Sequence, residues 1–293
     1  MSVRRRLSGN ERYFDVLIYA VLILWGAFII FPLLYILMTS FATEKDYLTR
    51  GFFIIPREWT WDAYLYLLAN DSFTKSFMNA VVITVVGTTI SISATTLMAY
   101  GLSKKWLKGR NVFNFMVVFT MLFSGGLIPT YLVIKEFGMI DTFWSLWLPG
   151  AVAPFYLIVM RSFFSSIPFE LEESARVDGC GEWRMFFSIM LPLSKASIAT
   201  FVLFYMVGYW NTYFSALIYL NDSSMWPLQV FLRQILVLNQ SLDETATLMQ
   251  QEIVYTPGAK MAAIVVSALP MMVIYPFLQK HFNKGMLLGS LKG

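Results

Sequence analysis

Glu173, Ala175 and Gly179, then Ile189, Leu191 and Pro192 after nine intervening residues, lie in a long polar stretch of a mostly oily chain. The stretch runs from Ile167 to Lys195 and reads IPFELEESARVDGCGEWRMFFSIMLPLSK. Its chemistry is that of contact. A carboxylate such as Glu173, near a helix N-terminus, can meet a basic or amide-rich cleft on another protein. Ser174 and Asp178 belong to the same set. Gly179 and Gly181 can stop a helix, since glycine tolerates the left-handed turn. Ser165 and Ser166 are candidate caps and Pro168 suits a first turn. A second short helix is expected through Trp183, Phe186, Phe187 and Met190, ended by Pro192. Two short helices on a glycine hinge make a surface element shaped to be pushed.

Bond-making chemistry has little to work with. The chain has no HExxH and no GxSxG pattern, and no GxxxxGK[ST] loop to cradle a nucleotide. Its one histidine, His281, and one cysteine, Cys180, leave no metal cluster and no internal disulfide. His281 reads as an interfacial side chain and Cys180 as a small filler in the hinge. The expectation is a chain that is not an enzyme, has no catalytic or metal residues and binds no cofactor itself.

The elements that position this stretch are apolar spans. Of 293 residues, 57% are hydrophobic and 14% charged, where a soluble domain carries roughly a quarter charged. Six segments can each cross a bilayer, which takes about 20 helical residues: 16–39, 77–102, 112–134, 142–164, 197–220 and 259–281. Pro149 and Pro154 interrupt the fourth; Pro32, Pro129 and Pro270 also lie within spans. No ionisable residue falls in the core of any span, so energy does not enter through a titrating group there. No cleavable signal peptide is evident after Arg4, Arg5 and Arg6.

Lys and Arg crowd the N-tail, the 103–111 loop, the polar stretch and the C-tail. The net charge of +4 is thus gathered in particular loops and is no nucleic-acid signal. Both termini and the polar stretch are therefore expected in the cytoplasm. This gives a tail at 1–15, a membrane domain at 16–281 with the polar loop at 165–196, outer loops at 42–76 and 221–258, and a tail at 282–293.

In the second span Ala80, Thr84, Gly87, Thr88, Ser91, Thr95 and Ala99 recur at three- and four-residue spacing. Such a stripe lets helices approach closely. It fits plain packing, or a helix that slides near a pore. Trp59, Trp61, Tyr64 and Tyr66 suit an interfacial belt. Residues 227–250 could form one amphipathic helix, and a loop as long as 221–258 suits a soluble docking partner. Asn79, Tyr209, Trp210, Asn211 and Tyr213 could line a polar path, or could hydrogen-bond between helices.

The spacing Glu-Ser-Ala, three residues, Gly, nine residues, Ile-x-Leu-Pro resembles the EAA loop of permease subunits in binding-protein-dependent ATP-binding-cassette (ABC) importers. Ser174 replaces the usual middle alanine. The similarity extends over most of the chain. Asn79-Ala80-Val81 and the closing Tyr275-Pro276-Phe277 through Gly293 resemble sugar-importer permeases of the MalG-like and LplC-like group, which includes the smaller alginate-importer permease. The resemblance implies an all-α membrane protein of the type I importer permease fold, with six transmembrane helices and a cytoplasmic coupling helix. It also implies import of oligosaccharides or polysaccharides across a bacterial cytoplasmic (inner) membrane. The implied partners are a second, longer permease, two ATPase subunits carrying ATP and Mg, and an extracytoplasmic solute-binding protein. An importer of amino acids or peptides is the alternative. A membrane assembly protein without transport is a third reading.

Overall fold

The computed structural model describes residues 9–237 and 256–290, with side chains for 13–237 and 256–276. Asn239, Ser241 and the acidic residues 243–252 lie outside the described residues. The chain divides into two compact units, Met1–Asn70 with Leu238–Val266, and Asp71–Val237 with Ser267–Gly293.

In the first unit, α1 (Gly9–Thr39) is apolar on every side from Val16 onward. Trp25 and Phe28 are exposed within the chain, as suits a helix whose solvent is lipid or another apolar surface. Near its end the Thr39 hydroxyl donates to the Tyr35 carbonyl at 2.6 Å and the Ser40 hydroxyl to Leu37 at 2.7 Å. The segment read as an outer loop is itself folded. It holds α2 (Glu44–Thr49), α3 (Asp62–Ala69) and a lone bridge between Ala42 and Trp59. Asp46 is buried, accepts the Arg57 amide at 2.9 Å and faces Arg50 at 3.7 Å. Phe41, Trp59, Trp61 and Tyr64 form one aromatic cluster.

The second unit is organised around α4 (Asp71–Ser103), which runs 33 residues and starts before the expected 77. It is followed by α5 (Arg110–Leu122), α6 (Leu127–Glu136), the single turn α7 (Trp144–Trp147) and α8 (Pro154–Ser166). The polar stretch holds α9 (Phe169–Val177), α10 (Glu182–Met185), a π-helical turn (Phe186–Met190) and α11 (Leu191–Leu193). Then come α12 (Lys195–Trp210), α13 (Phe214–Tyr219), a 3₁₀ turn (Ser223–Met225) and α14 (Leu228–Val237). The last helix, α15 (Pro257–Ser290), has residues in both units. No strand occurs among the described residues.

α4 packs foremost on α12 and α8. Its small stripe faces inward: Ala80, Thr84, Gly87, Thr88, Ser91, Thr95 and Ala99 are buried. A Cβ on Gly87 would lie 2.8 Å from the Tyr209 ring and 2.9 Å from Trp147. Glycine is what lets these helices meet.

Several expected spans are interrupted. The third, read as 112–134, is two helices bent by 118°. Gly126 has φ 85° and ψ 177°, a region open essentially to glycine alone. The fourth, read as 142–164, unwinds between α7 and α8 and resumes at Pro154, the N1 position of α8. The fifth, read as 197–220, stops at Trp210 and restarts at Phe214. The tail read as 282–293 is largely helix, because α15 runs through Pro270 and Pro276 to Ser290. Only Leu228–Val237 of the expected 227–250 helix is described. Ser165 and Ser166 do not cap α9; they close α8, where the Ser166 hydroxyl bonds the Phe163 carbonyl. Among the described residues three helices are long and apolar enough to cross a membrane, or up to five if each bent pair is one span.

Candidate coupling site

α9 starts directly after Pro168, whose missing N–H costs nothing at a helix entry. Glu170 and Glu172 lie in its first turn, at the positive end of the helix dipole. The helix ends at a Schellman turn. Gly179 has φ 77°, its amide bonds the Arg176 carbonyl at 3.0 Å, and the Cys180 amide reaches back to Ala175 at 2.9 Å. No atom outside the glycine and its chain neighbours lies within 4 Å of where a Gly179 Cβ would point. The glycine answers a backbone need there, not a packing one.

The helix has two faces. Glu173, Ser174, Val177 and Asp178 are exposed, Val177 at 88%. Glu172 and Ala175 are its buried residues. Ala175 joins a core with Ala99, Met160, Phe164, Met185, Phe186 and Met190. In the second arm Ile189 and Leu191 are half-buried and Pro192 is exposed. Pro192 does not end this arm as expected. The chain widens into a π turn just before it, where the proline ring would otherwise crowd the Ser188 carbonyl. The arm ends at the buried Ser194, and α12 leaves at 82°.

No motif or spacing singles out the groups that hold α9 from behind. Lys104, just past the end of α4, places Nζ 2.7 Å from Glu172 Oε1 and 4.0 Å from the Tyr100 ring centre. Lys104 is 4% exposed and Glu172 8%. The Tyr100 hydroxyl donates to Glu182 Oε2 at 2.8 Å, and Arg176 donates to Glu182 Oε1 at 2.7 Å. Glu172 and Glu182 were visible in the polar stretch as charges; their pairing needed the fold.

The candidate path residues are dispersed. The Tyr209 hydroxyl pairs with Ser91 at 2.8 Å and with the Trp147 carbonyl at 3.3 Å. Trp210 is buried and donates to the Ser267 carbonyl at 3.0 Å. Asn79 donates to the carbonyls of Ser224 and Trp226 at 2.9 and 3.2 Å. Asn211 is exposed, with its amide on the Val207 carbonyl at 2.8 Å. Tyr213 is half-buried with the Arg233 guanidinium 5.2 Å above its ring. Near Asn79's end of the unit, Asp141 accepts the side-chain and backbone N–H groups of Asn221. Those bonds, the side-chain one first, hold its carboxyl below the ordinary aspartate value. Among the described residues no three of His, Cys, Asp and Glu converge to hold a metal.

Residues 96–288 match the family described as binding-protein-dependent transport system inner membrane component. The chain is 51% identical to protein LplC of Bacillus subtilis (strain 168) over 282 residues, 96% of each chain. It is 47% identical to the polygalacturonan/rhamnogalacturonan transport system permease protein YtcP of the same organism, over 97% of this chain and all of the other. A chain in the crystal structure of a bacterial ABC transporter involved in the import of the acidic polysaccharide alginate is similar to it at 30% identity. That likeness has a TM-score of 0.86 and covers 95% of this chain and 99% of the other.

Proposed function

This chain belongs to the family of binding-protein-dependent transport system inner membrane components, and from that premise we propose that it is the permease subunit of an ATP-driven importer of oligosaccharides or polysaccharides. The observation that carries the coupling role is the two-faced helix α9. Glu173, Ser174, Val177 and Asp178 are presented to solvent at a glycine turn, while the opposite face is fixed to the bundle. An exposed carboxylate beside an apolar tip suits a cleft on a separate ATPase, and Ile189, Leu191 and Pro192 form the return arm. ATP and Mg sit on that ATPase. The sugar class is supported by the likeness to the permease YtcP and to the alginate transporter chain.

The chain forms half of a path with a second, longer permease in a bacterial inner membrane, with six spans counted through their breaks and both termini cytoplasmic. A solute-binding protein docks on the opposite face. Asn211 and Tyr213, exposed and half-buried at the break after α12, are better placed for a path than the buried Tyr209 and Trp210. The test is to express the tagged chain with its neighbouring subunits and purify it in mild detergent. An ATPase subunit and MgATP hydrolysis should come with it. A chain purified without any ATPase while the complex transports would contradict the reading.

A further inference from the structure

α9 buries only two residues, the carboxylate Glu172 and the small Ala175. A methyl group alone grips weakly, so the ion pair from Glu172 to Lys104 is the directional part of its attachment. The pair lies under the Tyr100 ring, and both partners are nearly sealed from water. Salt and water screen such a pair little, and either charge left alone there would be strongly disfavoured. The second arm ties to the same point, because the Tyr100 hydroxyl holds Glu182, which also holds Arg176 of α9. Both arms of the loop therefore converge on the last turn of α4, the helix on which α8 and α12 pack.

We propose that Lys104 and Glu172, braced by Tyr100 and Glu182, are positioning residues that pass displacement of the coupling helix to α4. This rests on the reading of α9 as the ATPase-docking element. Apolar contacts at Ala175 could slide; an ion pair fixed at 2.7 Å with a tyrosine above it keeps one register. The exposed Glu173 side is left free for the partner, so docking and transmission occupy opposite faces of one helix.

The test uses the full complex in nanodiscs, with Cys180→Ser and a reporter Leu97→Cys on an exposed position of α4. Maleimide labelling of the reporter is compared with and without MgATP and vanadate, alongside the amount of ATPase retained. The parent should show an ATP-dependent change in labelling rate. Lys104→Met or Glu172→Gln should cut that change at least fivefold with the ATPase still bound and hydrolysing MgATP. Lys104→Arg should keep it, and the charge exchange Lys104→Glu with Glu172→Lys should restore part of it. The exchange keeps the proposal testable if a single variant fails to accumulate. An undiminished change in the single variants, or no ATP-dependent change in the parent, would overturn the proposal. Loss of bound ATPase from the parent would instead overturn the docking reading beneath it.

Discussion

At Gly179 the chain adopts a left-handed backbone that most L-residues reach only at a cost of about 1–3 kcal/mol. The space around it is open, so strain, not collision, sets the effect of substitution. Gly179→Val should lower ATPase retention in purified complexes several-fold, while Gly179→Asn, which tolerates this region, should stay near the parent. Equal loss in both would point to bulk instead of backbone. Asp141 supplies a pH test. Its carboxyl is held below the ordinary value of 3.8 by Asn221. A lowered value means the clamp contributes fully above 3.8 and is lost only as pH falls through the lowered value. Amide exchange at Asn221 and Asp222, corrected for intrinsic rate, should be flat from about pH 7 to 5. Asp141→Ala should speed it at neutral pH. Spacing was enough to find Gly179, since its role is local. Lys104 and Glu172 were not legible as a pair, because nothing in a linear pattern says which loop lysine will lie under which helix.

The break in the fourth span shows how an interrupted helix survives in an apolar setting. Unwinding at 148–153 frees backbone groups that a bilayer cannot satisfy. Two tyrosines of α12 take them up. The Tyr209 hydroxyl bonds the Trp147 carbonyl, and the Ala153 amide donates to the Tyr205 hydroxyl at 3.0 Å. Each tyrosine is held in turn by α4, through Ser91 and Thr95. Tyr205→Phe and Tyr209→Phe should each cost about 1–2 kcal/mol, read as a lower unfolding temperature of the purified complex. A double-mutant cycle of Tyr209→Phe with Ser91→Ala should show coupling; strictly additive effects would argue against the staple. Pro149 and Pro154 announced the break in sequence. The partners that heal it did not show, because a tyrosine 52 residues away gives no local sign. The Gly125-Gly126 pair inside 112–134 is a local signal of a break, set within an apolar run long enough to be one span.

For the whole molecule, the apolar content carried the membrane class, and the α9 motif carried the family. What they could not carry was shape: 33 residues of α4 in one helix, the 118° and 82° bends, and a folded 42–70 segment where a loop was expected. These depend on which helices meet. A cytoplasm-only reporter fused after Gly293 should be active, and activity of an export-only reporter there would reverse the topology. The central claim is that α9 meets a separate ATPase with its exposed face. Single cysteines placed from Glu170 to Asp178 in the Cys180→Ser background, then crosslinked in the intact complex, test it most directly. The account expects crosslinks to the ATPase at Glu173, Ser174 and Val177, and none at Glu172 or Ala175, in the helical rhythm of exposure. An ATPase that co-purifies but never crosslinks at Glu173, Ser174 or Val177 would contradict it.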